Sequence, residues 1–136
     1  MKILIVDDDF ASRLLLQELL EPYGTVRIAM NGKRALAAVR FALDVGQPFD
    51  LVCVDIMMPE MDGHQALREM RGLEDACENG VRHRAIAFMT TAVDDEANVA
   101  EALHAKCDAY LLKPIDKTKL LEQMYACNLL PNPDVN

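Results

Sequence analysis

Residues 51–63 read LVCVDIMMPEMDG, and this stretch decides the fold of the chain. Residues 51–54 are apolar throughout, which is typical of a strand that is buried on both faces of a sheet. Asp55 follows directly and leads into a turn-forming segment that contains Pro59 and Gly63. A carboxylate in this place is not a packing residue, so we expect Asp55 to project from the edge of the sheet.

A second apolar run, ILIV at residues 3–6, also ends in carboxylates, namely Asp7 and Asp8. Adjacent strands lie ~4.8 Å apart. If the two runs are parallel neighbours, Asp7, Asp8 and Asp55 converge on one edge of the sheet. Carboxylates held that close repel each other unless a cation or a proton lies among them. The sequence therefore predicts an acidic, metal-binding pocket.

Strand and helix patterns alternate five times along the chain, which predicts an α/β fold with a doubly wound parallel sheet. The predicted strands are 2–6, 25–30, 50–54, 85–90 and 109–112. The predicted helices cover 10–21, the residues after Asn31-Gly32, Gly63 to about residue 71, and the residues after Asp94 and after Asp116. Segment 72–84 is interpreted as a solvated surface connection, with an extension of the preceding helix by a turn as an option, and His64, His83 and His104 as surface residues.

The other candidate residues also follow strands, so we expect them at the same edge, where ligands of such sheets bind. Thr90 and Thr91 come after the fourth strand and Lys113 after the fifth. Acids, a hydroxyl and a lysine around one point suit phosphoryl chemistry. Mg²⁺ prefers oxygen ligands, a carboxylate can attack phosphorus, and lysine can stabilise phosphoryl oxygens.

The amino-acid composition argues against several classes of function. The 136 residues carry a formal charge of −8 and a pI of about 4.8, which argues against direct nucleic-acid binding. Apolar stretches are far shorter than the ~18 residues of a membrane span, and Met1 leads directly into a strand, so we expect a cytoplasmic protein without membrane insertion. The four cysteines form no C-x-x-C pair and are expected to be reduced.

Four motifs together resemble the receiver domain of two-component response regulators, over about residues 1–127. They are VDDD at 6–9 with Arg13, VDIMMPEMDG at 54–63, MTTA at 89–92 and DAYLLKPI at 108–115. The resemblance implies a five-stranded flavodoxin-like fold of strand order 2-1-3-4-5. It also predicts a receiver domain at 1–128 with a tail at 129–136, and no DNA-binding output domain.

The resemblance implies a role for each site residue. Asp55 would be the phosphoacceptor. Asp8 and Asp55 would bind Mg²⁺ directly, or Mn²⁺ as an alternative, with Asp7 acting through water and the Met57 carbonyl completing the protein ligands. Lys113 would contact the phosphoryl group, and its bond to Pro114 is often cis in the family.

The remaining implied roles concern signalling. Thr91 would be the switch hydroxyl, because it directly precedes Ala92 and lies 22 residues before Lys113, and Tyr110 would turn inward with it. The phosphodonor would be a sensor histidine kinase or a histidine phosphotransfer protein. A downstream protein would bind the face formed by the predicted fourth helix, the fifth strand and the fifth helix.

Two other interpretations remain open. A degenerate receiver could act only as a protein-interaction module, although every site residue is present. An aspartate-nucleophile phosphohydrolase also uses acids after its first strand, but Ala11 stands where such enzymes have Thr or Val. The chain also departs from the receiver pattern at Lys106, where a glycine commonly ends the fourth helix. Apolar Met57 and Val93 are expected to lengthen the lifetime of the phosphoryl group.

Overall fold

The sheet has the predicted architecture. The computed structural model describes residues 1–77, 84–92 and 107–131. Five strands pair in parallel in the order β2-β1-β3-β4-β5, so the predicted doubly wound fold is confirmed. The strands are β1 (Lys2–Val6), β2 (Thr25–Ala29), β3 (Leu51–Asp55), β4 (Ile86–Thr91) and β5 (Ala109–Leu112).

Helices cover both faces of the sheet, and each begins at a side-chain cap. They are α1 (Phe10–Leu20), which continues into the 3-10 turn Glu21–Tyr23, α2 (Gly32–Asp44), α3 (Gly63–Asp75) and the C-terminal helix (Lys117–Ala126). The capping oxygens accept backbone N–H bonds that would otherwise lack a partner. The caps are Asp9, Asn31, Asp62 and Asp116. The helix predicted after Asp94, with Lys106, lies outside the described residues.

Alternate residues of each buried strand enter two separate cores. On β1, Leu4 and Val6 belong to the cluster beneath α2 and α3, whereas Ile3 and Ile5 belong to the cluster beneath α1 and the C-terminal helix. Continuous apolar runs are therefore required, because both faces of the central strands are covered. Among the described residues, no helix is long and apolar enough to cross a bilayer.

Segment 72–84 extends the preceding helix by a turn, as its interpretation allowed, but the side chain of Glu74 is buried rather than solvated. Helix α3 continues to Asp75, and an ionic network joins it to the starts of β4 and β5. Arg71 lies 2.8 Å from Glu74 and 3.3 Å from Asp108, and Arg84 lies 3.0 Å from Asp108. Buried charges require such partners. Residues 78–83 lie outside the described part of the chain.

The acids of this network also accept backbone hydrogen bonds at the start of β4. Glu74 Oε2 accepts the Ala85 N–H at 2.6 Å, and Asp108 Oδ2 accepts the Ala87 N–H at 2.8 Å. Arg71 Nη1 donates to the Ala85 carbonyl at 2.7 Å. The network therefore fixes the end of the sheet opposite the one where the candidate site residues lie.

Candidate functional site

Three carboxylates meet where β1 and β3 end. One oxygen each of Asp7, Asp8 and Asp55 lies within 4.8 Å of the others. Asp7 is fully buried, Asp55 is almost fully buried and Asp8 is exposed. The predicted convergence of these acids is confirmed. It follows from the adjacency of β1 and β3, which places Val6 opposite Val54 in the sheet.

The loop after Asp55 folds back closely on the end of its strand. The Met57 N–H donates to Asp55 Oδ1 at 3.2 Å, and the Gly63 N–H donates to the Ile56 carbonyl at 3.0 Å. A Cβ on Gly63 would lie only 2.3 Å from the carbonyl oxygen of Asp55. Glycine is therefore required at this position so that α3 can start directly against the strand end.

Asp7 is held in place by its neighbours in sequence and by β2. Its Oδ1 accepts the Asp9 N–H at 2.9 Å, and its own N–H donates to the Ala29 carbonyl at 3.2 Å. The guanidinium of Arg13 donates to the Asp7 carbonyl at 3.1 Å. Arg13 thus fixes the backbone of the acidic turn, while the Asp7 carboxylate faces the pocket.

Lys113 brings the positive charge to the site. Its Nζ lies 2.9 Å from Asp7 Oδ2 and 3.3 Å from Asp55 Oδ2. The backbone N–H of Lys113 donates to the Thr91 carbonyl at 2.7 Å, and this hydrogen bond joins the ends of β4 and β5. The Lys113–Pro114 peptide is cis, as the resemblance implied.

The electrostatics indicate a pocket that is short of positive charge. Burial and the charge of Asp7 raise the pKa of Asp55 to about 6, although Lys113 and the Met57 N–H oppose this change. Burial lowers the pKa of Lys113, but its hydrogen bond to Asp7 and the charge of Asp55 raise it overall. An added cation would favour the ionised form of Asp55. Clustered carboxylate oxygens are the ligands that Mg²⁺ prefers, so the residues fit this ion.

The other predicted residues lie at the end of β4, on β5 and in the loop after β3. Thr91 is fully buried at the end of β4, as is Thr90 beside it. Tyr110 is partly buried on β5 and packs against the core beneath α2 and α3. The side chain of Met57 is 61% exposed in the loop after Asp55, whereas Val93 lies outside the described residues.

The prediction that His64 is a surface residue is wrong. It is only 4% exposed, and neither ring nitrogen has a hydrogen-bond partner among the described residues. His64 follows the first residue of α3, and positions 64, 67 and 71 share one face of that helix. Leu67 on that face is buried as well, but its apolar character does not reveal that a polar residue one turn earlier, at the start of the helix, is also covered. His83 and His104 lie outside the described residues.

The parallel sheet and the acidic pocket at its edge are those expected of a receiver domain, and sequence comparison agrees with this class. Residues 3–125 match the response regulator receiver domain. The match covers most of the 136 residues, and the chain belongs to this family.

Curated relatives include longer signalling proteins. The transcriptional regulatory protein ZraR of Salmonella typhimurium is 37% identical over 123 residues, which are 90% of this chain and 25% of ZraR. The sensor histidine kinase GacS of Pseudomonas protegens is 36% identical over 122 residues, which are 89% of this chain and 12% of GacS. The chain thus spans a quarter or less of the length of these relatives.

Solved structures show the same fold. The receiver domain of the histidine kinase CKI1 from Arabidopsis thaliana, complexed with Mg²⁺ and BeF3⁻, has a TM-score of 0.79 at 31% identity, with 95% of this chain and 90% of that chain covered. A CheY-like receiver domain protein from Methanospirillum hungatei has a TM-score of 0.75 at 30% identity, with 93% and 91% covered.

Proposed function

We propose that this receiver domain accepts a phosphoryl group on Asp55 from a phosphohistidine. The donor would be a sensor histidine kinase or a histidine phosphotransfer protein. One observation carries the proposal: Asp55 ends β3 within 4.8 Å of Asp7 and Asp8, while Lys113 Nζ lies 3.3 Å from its carboxylate. Such a set of groups serves a reaction that adds negative charge to an acid, because the added charge needs cations close by.

The chain's residues would act as follows. An ionised oxygen of Asp55 attacks phosphorus and forms an acyl phosphate, while the phosphorus–nitrogen bond breaks and its electron pair goes to the imidazole of the donor. Lys113 then holds a phosphoryl oxygen in place of its present contact with Asp55 Oδ2. The Met57 N–H keeps the other Asp55 oxygen oriented.

A divalent cation is part of the proposal. Asp8 and Asp55 would bind Mg²⁺ directly, Asp7 through water, and Met57 through its carbonyl, and Mn²⁺ could take the same ligands. Support comes from the three clustered carboxylates and from the CKI1 receiver, whose solved structure holds Mg²⁺ and BeF3⁻. The ion would neutralise the acids and the incoming phosphoryl oxygens.

The phosphoryl group would signal through two residues. Phosphorylation adds strong acceptor oxygens, which would draw the Thr91 hydroxyl toward Asp55 and let Tyr110 turn inward. A downstream protein would then bind the face that includes β5 and the C-terminal helix, together with the predicted fourth helix, which lies outside the described residues. We place this signalling in the cytoplasm, where sensor kinases present their phosphohistidines.

The test is phosphoryl incorporation measured by intact mass. Wild type, Asp55→Asn and the cap variant Asp116→Asn are incubated with acetyl phosphate, with and without Mg²⁺. We expect one Mg²⁺-dependent adduct, labile to hydroxylamine, in wild type and Asp116→Asn and none in Asp55→Asn. Asparagine also caps helices, so Asp116→Asn controls for folding.

Two results would overturn the proposal. An adduct that persists in Asp55→Asn would place the acceptor elsewhere. A folded wild type that takes no phosphoryl group, either from acetyl phosphate or from a panel of phosphorylated kinases, would favour the interaction-module interpretation. Continuous release of phosphate from phosphate esters would instead favour the phosphohydrolase.

A further inference from the structure

The surface of β2 and α2 has the opposite charge to the rest of the molecule. Residues 22–43 contain four basic residues and no acidic one. The rest of the chain holds the other ten basic residues and all 22 acidic ones. The four basic residues are Arg27, Lys33, Arg34 and Arg40, and all are exposed. This charge separation is not required by the fold.

Within the described part of the chain, none of these four side chains has a partner of opposite charge. No ion pair joins them to any carboxylate of the described residues, although acids outnumber bases in the chain. By contrast, Arg71 and Arg84, near the starts of β4 and β5, are paired with Glu74 and Asp108. The positive charge on this face is therefore available to a partner.

An apolar side chain lies among these cations. Phe41 is 68% exposed on α2, Arg40 directly before it is exposed, and so is Ala37 one turn earlier. Positions 33, 37, 40, 41 and 44 recur at helical spacing, so they form one outward stripe along the helix, and Asp44 places one exposed carboxylate at its end. Aromatic residues and arginine are enriched at protein interfaces, as Phe41 and Arg40 are placed here.

We propose that the outward face of α2 is a docking surface for an acidic segment of a partner protein. Carboxylates of that segment pair with Lys33, Arg34 and Arg40, and an apolar side chain of the segment packs over Ala37 against Phe41. The 13-residue helix is about 20 Å long, which suits a short helix or extended peptide as partner. This proposal does not depend on phosphorylation of Asp55.

An acidic protein segment fits this face better than a phosphate polymer or an anionic lipid surface. Four cations give only modest attraction to phosphates, and a chain of net charge −8 is repelled by them at longer range. A short acidic peptide avoids most of this repulsion because it contacts only the part of the outward stripe from Lys33 to Phe41, which carries no carboxylate. The exposed ring of Phe41 adds an apolar contact that phosphates do not use.

The experiment selects partners without assuming their identity. A phage library of random 16-residue peptides is panned on the full chain, and enriched peptides are synthesised with a fluorophore for anisotropy measurements. We expect enriched peptides to combine several Asp or Glu residues with an apolar residue. Their binding should weaken as salt rises from 50 to 500 mM, because surface ion pairs are screened.

Matched variants locate the binding face. Phe41→Ala and Arg40→Gln should each weaken peptide binding by about tenfold or more, as truncation of an interface anchor does. Phe10→Ala and Lys119→Gln should leave it unchanged, since Phe10 is 69% exposed on α1 and Lys119 is exposed on the C-terminal helix. Circular dichroism and thermal unfolding check that all four variants remain folded.

Several results would overturn the proposal. Enrichment of peptides without acidic residues, no enrichment above that on a blank surface, or equal losses in Phe10→Ala and Phe41→Ala would each do so. So would binding of a DNA duplex or of phosphatidylglycerol vesicles that Arg40→Gln abolishes. Self-association in sedimentation velocity that Phe41→Ala abolishes would assign the face to a second copy of the chain instead.

Discussion

The ammonium nitrogen of Lys113 lies 3.3 Å from Oδ2 of Asp55, while the same nitrogen lies 2.9 Å from Oδ2 of Asp7. One cation thus serves two buried acids that belong to different strands. The arrangement leaves the pocket with more negative than positive charge. Among the described residues, Asp7 and Asp55 share Lys113 as their ion-pair partner.

Removing this cation should slow phosphorylation. In Lys113→Met we expect the initial rate of adduct formation from acetyl phosphate to fall on the order of 10²-fold, because one preorganised group for the phosphoryl oxygens is lost. The rate is measured by intact mass at fixed Mg²⁺. Lys119→Met, on the exposed side of the C-terminal helix, is the control and should keep the wild-type rate. Equal rates in both variants would contradict this role for Lys113.

The raised pKa of Asp55 predicts how stability depends on pH. The ordinary value is 3.8 and the folded-state value is about 6. A carboxyl group whose pKa is higher in the folded state than in the unfolded state binds its proton more tightly in the folded state. Its stabilising contribution is complete at pH values below the unfolded-state pKa, and it is lost as the pH rises through about 6. At about 1.4 kcal/mol per pK unit, the loss has a ceiling of about 3 kcal/mol.

Asp55→Asn should therefore be more stable than wild type at pH 7.5 by about 1–3 kcal/mol in metal-free buffer, and close to wild type at pH 4. Urea unfolding with EDTA at both pH values measures the difference. Asp116→Asn, which changes a carboxylate outside the pocket, should show no such pH-dependent gain. A constant difference between Asp55→Asn and wild type across this range would refute the assignment.

Two glycines of α3 give a matched test of how closely the helix packs against the loop that follows Asp55. In Gly63→Ala the new Cβ would meet the Asp55 carbonyl at 2.3 Å, whereas a Cβ on Gly72 has nothing within 4 Å. We expect Gly63→Ala to destabilise the fold by about 2–4 kcal/mol, since the backbone must shift. Gly72→Ala should instead stabilise by up to about 1 kcal/mol through helix propensity. Guanidinium unfolding compares the two, and similar effects would contradict the close packing.

The fold and most of the pocket were predictable because their signals are local. Each central strand is a short apolar run, and Asp7 and Asp55 stand directly at the ends of two such runs. Once the strands are parallel neighbours, the convergence of these acids follows from the architecture. Helix caps such as Asp9 were predictable for the same reason, because the capping oxygen accepts a bond from a residue three positions later.

What the sequence did not reveal depends on residues far apart in the chain. The partner of Arg71, Asp108, is 37 positions away, so the surrounding segment resembles an ordinary solvated loop. His64 reads as a polar surface residue because nothing beside it indicates that the start of α3 is covered. In both cases a polar residue is buried by tertiary packing, which no periodicity reports.

Two arginines of the ionic network at the starts of β4 and β5 differ in their exposure to solvent. Arg71 is 6% exposed and contacts both Glu74 and Asp108, whereas the side chain of Arg84 is 49% exposed and forms an ion pair with Asp108. Arg71→Met should cost about 3–5 kcal/mol, because it leaves buried carboxylates without their counter-charge. Arg84→Met should cost less than about 1 kcal/mol, because solvent screens an exposed pair.

Guanidinium unfolding of both variants at pH 7.5 measures these costs, and a double-mutant cycle with Asp108→Asn isolates the pair between Arg71 and Asp108. The cycle should give a coupling energy of about 1–3 kcal/mol, larger than the coupling between Arg84 and Asp108. Equal costs for the two arginines would mean that solvent reaches this end of the sheet and that the network does not secure it.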